Sequence, residues 1–151
     1  MIVNTTGNLG FNPFCFRAYD SGGTTLTDAT VVQINLATES YDYNSNFATS
    51  AYTIPVTGVY HFDGCVAVSA STTIVSGFTM IYVDAAETLR GLRGVGSASG
   101  DPGLPISGDL LLTAGQVVTL HCRQDSAGNE TTSTGSNLTY FSGHLVHRLP
   151  A

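Results

Sequence analysis

The sequence contains no lysine and no tryptophan, and only 11% of its 151 residues are charged. Five arginines stand against 11 acidic residues, which gives a formal net charge of −6. Nucleic acids and anionic membranes bind proteins through basic patches, and five scattered arginines cannot build one. We therefore expect neither a nucleic acid nor a membrane as a partner.

Long apolar runs are also missing, because no segment approaches the ~20 consecutive apolar residues of a membrane helix. The first residues have neither a basic start nor a long apolar run, so we expect no secretory signal peptide and synthesis in a cytoplasm. Helical periodicity is scarce, whereas Gly, Ser and Thr are abundant. A chain of this length can bury ~68–70% of its unfolded surface, which favours a single β-rich domain.

Cysteine is scarce and odd in number, since Cys15, Cys65 and Cys122 are the only three. At least one of them has no partner within the chain, and no CxxC or other metal-ligand spacing occurs. Cys65 and Cys122 fall inside predicted strands. Buried apolar thiols are therefore favoured over a disulfide.

What the sequence does contain is a series of short alternating segments bounded by turn residues, which is typical of a β-sandwich. The segments Ser97–Ser107 and Gln124–Ser136 are expected to be loops, the second of them exposed. About eight to ten antiparallel strands are expected, at Phe14–Tyr19, Thr30–Leu36, Ala51–Val56, Val59–Val68, Gly77–Asp84, Leu89–Val95, Gly108–Thr113, Gln116–Arg123 and Asn137–Arg148.

Two of these segments carry more specific information. Gly77–Asp84 is apolar on both faces, so it is expected either in the centre of the sandwich or beneath another subunit. In Tyr41–Phe62, Asp42 favours a turn, and Pro55 limits the strand that follows to an edge or a strand end.

The order of residues in Tyr41–Phe62 resembles the central signature of the complement C1q globular-head family, which is related to the tumour-necrosis-factor jelly rolls. Leu110–Val118 resembles the leucine-rich strand, glycine turn and next strand of that family, and Phe141–Leu145 resembles its closing strand. Gln116 stands where the family usually has Asp, and His144 where it often has an aromatic residue. The resemblance implies an all-β jelly-roll sandwich that forms homotrimers.

A trimer needs an interface, and the chain has a surplus of aromatic side chains for it. We expect six aromatic residues in the trimer interface or the core: Phe16, Tyr60, Phe62, Tyr82, Tyr140 and Phe141.

The first 13 residues, ahead of a single domain at 14–151, are predicted to be an extended arm. Ile2, Val3, Leu9 and Phe11 give this arm more apolar surface than a solvated tail needs. Such an arm could bind a neighbouring protein.

Catalytic patterns are weak, and we predict no catalytic residue and no enzyme. His61, His121, His144 and His147 show no metal-ligand spacing. His144 and His147 are three residues apart on a predicted strand, which places them on opposite faces. A trimer could still bring three copies of one histidine to its axis.

No cofactor or metal site is predicted. The resemblance leaves calcium as an alternative, because several family members bind it with loop acids near the apex of the trimer. Here Asp101 or Asp125 could play that part, but no calcium-loop spacing supports it.

Two functions remain open. The first is a homotrimeric decoration (cement) protein that binds the major capsid protein on the outer surface of a bacteriophage virion, through its arm and the base of the trimer. The second is a recognition module, a phage fibre tip or an extracellular head, that binds a glycan or protein through apical loops such as Gln124–Ser136.

Overall fold

The structure is a computed structural model that describes residues 14–69, 76–94 and 101–150. The predicted arm, with Ile2, Val3, Leu9 and Phe11, lies outside the described residues. The described part of the chain contains strands and turns but no helix.

The described residues form thirteen antiparallel strands, which confirms the predicted all-β jelly-roll class. Five are short: β2 (Thr25–Leu26), β3 (Val32–Gln33), β5 (Phe47–Ala48), β6 (Ala51–Thr53) and β12 (Glu130–Thr132). The other eight have five or more residues: β1 (Cys15–Tyr19), β4 (Thr38–Asp42), β7 (Gly58–Ser69), β8 (Ser76–Val83), β9 (Ala86–Arg90), β10 (Gly103–Leu112), β11 (Val117–Asp125) and β13 (Tyr140–Arg148).

The strands form two sheets. In the seven-stranded sheet the order is β2-β12-β7-β13-β1-β4, and β10 pairs with the other edge of β7. In the six-stranded sheet the order is β5-β6-β11-β8-β9, and β3 pairs with β11. Nearly all neighbours in these sheets are distant in sequence, as expected for a jelly roll.

The core lies between the two sheets and is rich in aromatic rings. In β7, Tyr60 and Phe62 point inward and are fully buried, while the alternate residues Val59, His61 and Asp63 are half-buried. Phe16 from β1 stacks on Tyr52 with ring centroids 4.3 Å apart, and Phe141 from β13 meets it edge-on at 5.2 Å. The period of two in these strands therefore directs one face of each to a common core.

β8 is buried on both sides by its own chain. It lies between β11 and β9, and residues 76–81 are all buried without a second subunit. Ile81 belongs to the core, whereas Phe78 on the other side lies beneath the Arg90 guanidinium, whose carbon is 4.4 Å from the ring centroid. The apolar pattern of this strand therefore gives no information about oligomerisation.

Four element predictions were wrong. Of the predicted strand Leu89–Val95, only Leu89 and Arg90 lie in a strand, at the end of β9, and Val95 lies outside the described residues. Within the predicted strand Thr30–Leu36 only Val32–Gln33 pairs, although Ile34 is buried as its alternation implied. The predicted loop Ser97–Ser107 contains the start of β10, where Pro105 lies opposite Cys65. β10 pairs only with β7 and is an edge strand, so the missing N–H of the proline breaks no ladder.

The predicted exposed loop Gln124–Ser136 is in part buried, because β11 extends to Asp125 and β12 forms within it. Thr132 of β12 is buried, and its hydroxyl donates to Asp20 Oδ2 at 2.6 Å. The same oxygen accepts from the Thr24 hydroxyl at 2.7 Å, and Asp20 Oδ1 accepts from the Gly23 N–H at 2.7 Å. Asp20 is fully buried and ties this segment to the turn after β1.

Candidate functional site on the outer face of the seven-stranded sheet

The outer face is the side of the seven-stranded sheet that points away from the core, carried by β10, β7, β13, β1 and β4. Residues paired across a ladder share a face. Asp109, His61, His144 and Cys15 therefore stand side by side on four adjacent strands. The next row contains Ser107, Asp63, Ser142, Arg17 and Tyr41.

His61 is the centre of this face and lies between two carboxylates. Its Nδ1 is 2.6 Å from Asp109 Oδ1, and its Nε2 is 3.2 Å from Asp63 Oδ2. The Ser107 hydroxyl is 3.3 Å from the same Nε2. The imidazole is 29% exposed, and the side chains of Asp63 and Asp109 are 49% and 60% exposed, so the cluster is open to solvent.

The surroundings of His61 favour its protonated form. The hydrogen bond to Asp109 is the main cause that raises the pKa of His61, partial burial opposes it, and Asp63 adds to the increase. As an imidazolium, His61 donates one N–H to each carboxylate. In its protonated form the cluster therefore holds a cation between two carboxylates.

The order Ser107, His61, Asp109 has the connectivity of an acyl-transfer triad. In such a triad the histidine must be neutral, because Nε2 has to take the serine proton. Here Asp63 also lies at Nε2 and favours a proton on that nitrogen. The arrangement suits an ion-pair cluster and not a general base.

His144 and His147 both lie on the outer face, which corrects the prediction of opposite faces. A β-bulge between Leu145 and His147 adds one residue to β13, so His147 is paired with Val59 and His144 with His61. The rings of His61 and His144 are 5.5 Å apart. A residue inserted by a bulge reverses the facing of all that follow it.

The two edges of the outer face carry exposed apolar or aromatic side chains. Leu111 on β10 is 66% exposed, and Tyr41 beside β1 is 41% exposed. Tyr43 is 67% exposed, and its ring centroid is 5.8 Å from that of Tyr41. Between the edges, the Arg17 guanidinium carbon lies 4.0 Å from the centroid of the Tyr140 ring.

The six aromatic residues expected in the core or an interface occupy three different places. Tyr140 is half-buried on the outer face, and Tyr82 is half-buried on the six-stranded sheet. The others are fully buried in the core of the single chain: Phe16, Tyr60, Phe62 and Phe141.

All three cysteines are free thiols, and none is a nucleophile activated by its surroundings. Cys122 is buried, and desolvation raises the pKa of its thiol to about 12. Cys15 and Cys65 are half-buried, and desolvation raises the pKa of each as well. A raised pKa lowers the thiolate population and with it the reactivity.

Among the described residues, no group of three or more His, Cys, Asp and Glu side chains is placed to hold a metal ion. Asp101 accepts a hydrogen bond from the Ser133 hydroxyl at 2.7 Å, and Asp125 ends β11. In the same part of the chain, no helix is long and apolar enough to cross a membrane.

Sequence reasoning missed Ser107 and Asp109 as members of the site. Asp109 is 48 residues from His61 along the chain, and only the register of β10 on β7 brings them together. The pattern Ser107-Gly108-Asp109 places both polar side chains on one face of a strand, but it does not predict which neighbouring strand, or which residue on it, they contact.

No protein-family model and no curated protein matches the chain. Solved structures do match it. The globular domain of zebrafish complement 1qA protein is 16% identical, with a TM-score of 0.65, over 89% of this chain and 98% of that one. Murine APRIL at pH 5.0 is 11% identical, with a TM-score of 0.68, over 87% and 98%.

The Eiger TNF of S. frugiperda is 13% identical, with a TM-score of 0.62, over 92% of this chain and 94% of that one. At these identities the matches establish a shared fold. The chain therefore has the jelly-roll fold of C1q-like and TNF-like globular domains.

Proposed function

We propose that this chain is a non-enzymatic homotrimer that attaches to the major capsid protein on the outside of a viral particle, as in a bacteriophage, and stabilises the capsid. Formation of the homotrimer is supported by the outer face. Attachment to the capsid is supported by the composition of the arm and by the point at which the arm joins the fold.

Self-association through the outer face is favoured by its charge balance. The chain has a net charge of −6, yet the centre of this face carries two basic side chains, Arg17 and His61, beside its two carboxylates, Asp63 and Asp109, and the hydrogen bond to Asp109 raises the pKa of His61. Copies that meet through this face avoid most of the like-charge repulsion that their other surfaces would cause.

The backbone of the outer face also suits a covered surface. β7 is hydrogen-bonded to strands on both sides along its length, so a second subunit can cover it without leaving backbone N–H and C=O groups buried and unpaired. Leu111 and Tyr41 at the two edges expose apolar surface to solvent, and burial of that surface against another subunit would be favourable.

The point at which the proposed arm joins the fold would suit a shared attachment. The chain enters the fold at Phe14, whose carbonyl accepts from the Leu145 N–H at 2.9 Å, close to the start of β7. In a three-fold assembly all three arms would leave from the same end. Three arms linked in one trimer would then bind a local three-fold position of a capsid more tightly than one arm alone, even if each single contact is weak.

The capsid role is tested with particles of the virus that encodes the chain. Mass spectrometry of purified particles should find the protein, and a variant that lacks residues 1–13 should remain trimeric but fail to bind particles stripped of it. Full binding by the truncated protein would overturn the role of the arm, and absence from the particles would overturn the capsid role.

The assembly is tested separately with Ser142→Arg. Ser142 is at the centre of the outer face, beside Asp63, so an arginine there can point to solvent in a monomer but would be buried in a trimer. Thr88→Arg on the exposed strand β9 is the matched control. Only Ser142→Arg should weaken association, and equal behaviour of the two variants would place the interface elsewhere.

A further inference from the structure

The six-stranded sheet carries a recess on its own outward side, away from the outer face described above. Its volume is about 320 Å³, at the lower end of the range for small-ligand sites. We call it the Tyr82 recess. It is lined by six residues from β3, β8, β11 and the β8–β9 turn: Gln33, Tyr82, Ala85, Val117, Thr119 and His121.

Aromatic rings form part of the lining and are held in place by the sheet. The Tyr82 ring and the His121 imidazole are 4.1 Å apart at an interplanar angle of 31°. Tyr82 lies opposite Thr119 in the ladder, and the Thr119 hydroxyl is 2.9 Å from His121 Nε2. Fully buried Met80 lies opposite His121. The lining is therefore organised before any ligand arrives.

One side of the recess is the tight turn between β8 and β9. Asp84 and Ala85 both have positive φ, at 49° and 66°, as a two-residue hairpin turn requires. Asp84 Oδ1 accepts from the Val117 N–H at 2.9 Å and Oδ2 from the Gln116 amide at 3.0 Å. The two hydrogen bonds fix the turn, and with it Ala85, against the start of β11.

The chemistry of the recess is uncharged. None of the six lining residues is Asp, Glu, Lys or Arg, and the carboxylate of Asp84 in the adjoining turn is taken up by the Val117 N–H and the Gln116 amide. Burial lowers the pKa of His121, which keeps the imidazole neutral at pH 7. Polar groups are supplied by the Gln33 amide and the Thr119 hydroxyl, while Val117 is 37% exposed.

Aromatic surface beside amide and hydroxyl groups matches a pyranose ring, which has C–H groups on its faces and hydroxyls at its edge. An ionised ligand would find no counter-charge here and would lose hydration without compensation. We propose that the Tyr82 recess binds a neutral hexopyranose unit of a glycan. The recess lies on the opposite sheet from the proposed trimer face, so this inference does not depend on trimer formation.

The test uses four probes, the methyl glycosides of glucose, galactose, mannose and N-acetylglucosamine. Each is titrated into ¹⁵N-labelled full-length protein while backbone amide shifts are followed by NMR. At least one should give saturable shifts centred on residues 82–85 and 117–121, with a Kd of roughly 1–10 mM. Absence of saturable shifts with all four up to about 100 mM would overturn the proposal.

Variants locate the binding. Tyr82→Ala should weaken it about 10-fold or more, which is about 1.4 kcal/mol. Gln33→Leu removes an exposed amide at nearly constant volume and should weaken binding; because Gln33 Nε2 also donates to the Ser50 carbonyl at 3.3 Å, the thermal stability of this variant is measured alongside. Leu92→Ala truncates a side chain that is 89% exposed and does not line the recess, so this control variant should bind as the unchanged protein does.

Two results would contradict the assignment even if a sugar binds. One is unchanged affinity in both Tyr82→Ala and Gln33→Leu, which would place the sugar elsewhere. The other is tighter binding of N-acetylneuraminic acid than of every neutral probe, since a carboxylate has no partner among the residues that line the recess.

Discussion

Replacing Gly143 with alanine adds one methyl group to the aromatic core. An ideal Cβ at this position would lie 2.6 Å from Phe62 Cδ1, 2.8 Å from Phe62 Cε1 and 2.9 Å from Phe16 Cε1. Ordinary contacts of a Cβ are 3.4–4 Å, so both rings have to move by about half an ångström or more.

Neither ring has room to move. Phe16 and Phe62 are fully buried, and each contacts Phe141, with centroids 5.2 and 5.6 Å apart. Overpacking of a well-filled core costs about 1–3 kcal/mol. For a chain of this size each kcal/mol lowers Tm by about 2–4 °C, so Gly143→Ala should lower it by about 2–12 °C.

The assay is thermal unfolding by calorimetry at one fixed protein concentration, because association makes Tm depend on concentration. Gly22→Ala is the matched control, since its Cβ would meet no atom within 4 Å and its φ is not positive. That variant should be as stable as the unchanged protein or slightly more so. If Gly143→Ala also retained full stability, Phe16 and Phe62 could not be packed as described.

Three further predictions concern single side chains. Tyr60→Ala should lower the free energy of unfolding, measured with denaturant, by about 3–5 kcal/mol, because the ring is fully buried. Tyr60→Phe loses only the 2.8 Å hydrogen bond to the Val56 carbonyl and should lower it by about 1 kcal/mol. Nearly equal losses of stability in the two variants would show that the ring does not lie in the core. The Asp20 carboxylate accepts hydrogen bonds from four donors, and Asp20→Asn replaces one of its two acceptor oxygens by a further donor. This variant should lose about 1–3 kcal/mol of stability in the same assay. Unchanged stability would contradict the buried network. In a ¹H–¹⁵N NMR titration the pKa of His61 should lie above 6.5, and it should be lower in Asp109→Asn. Because folding raises this pKa, the stability that the His61–Asp109 pair contributes is present at acidic pH and is lost as the pH rises through the raised pKa. An unchanged pKa in Asp109→Asn would refute the pairing.

Alternation along single strands could be predicted from the sequence, because it depends on neighbours in the chain. The inward direction of Tyr60 and Phe62 follows from a period of two, and the turn at Asp42 follows from its side chain, whose Oδ2 accepts from the Phe47 N–H at 2.7 Å. The pattern in Leu110–Val118 likewise anticipated the end of β10, the turn and the start of β11.

The candidate site could not be predicted in the same way, because its members meet through strand register. Asp109 and His61 become neighbours only when β10 pairs with β7, and the bulge before His147 moves that residue to the face opposite the one expected. Pro105 indicated a loop, since a proline excludes a central strand but not an edge strand. Thr132 lies in a segment whose composition predicts an exposed loop, and its buried partner, Asp20, is 112 residues away and leaves no signal in the local sequence.

The mass of the assembly in solution tests the central claim most directly. Sedimentation equilibrium of the full chain near pH 7 should give a mass three times the 15.8 kDa of one chain, with no dimer at intermediate concentrations. A mass of 15.8 kDa at all concentrations up to roughly 100 μM, far above the dissociation constant of a stable trimer, would contradict the account.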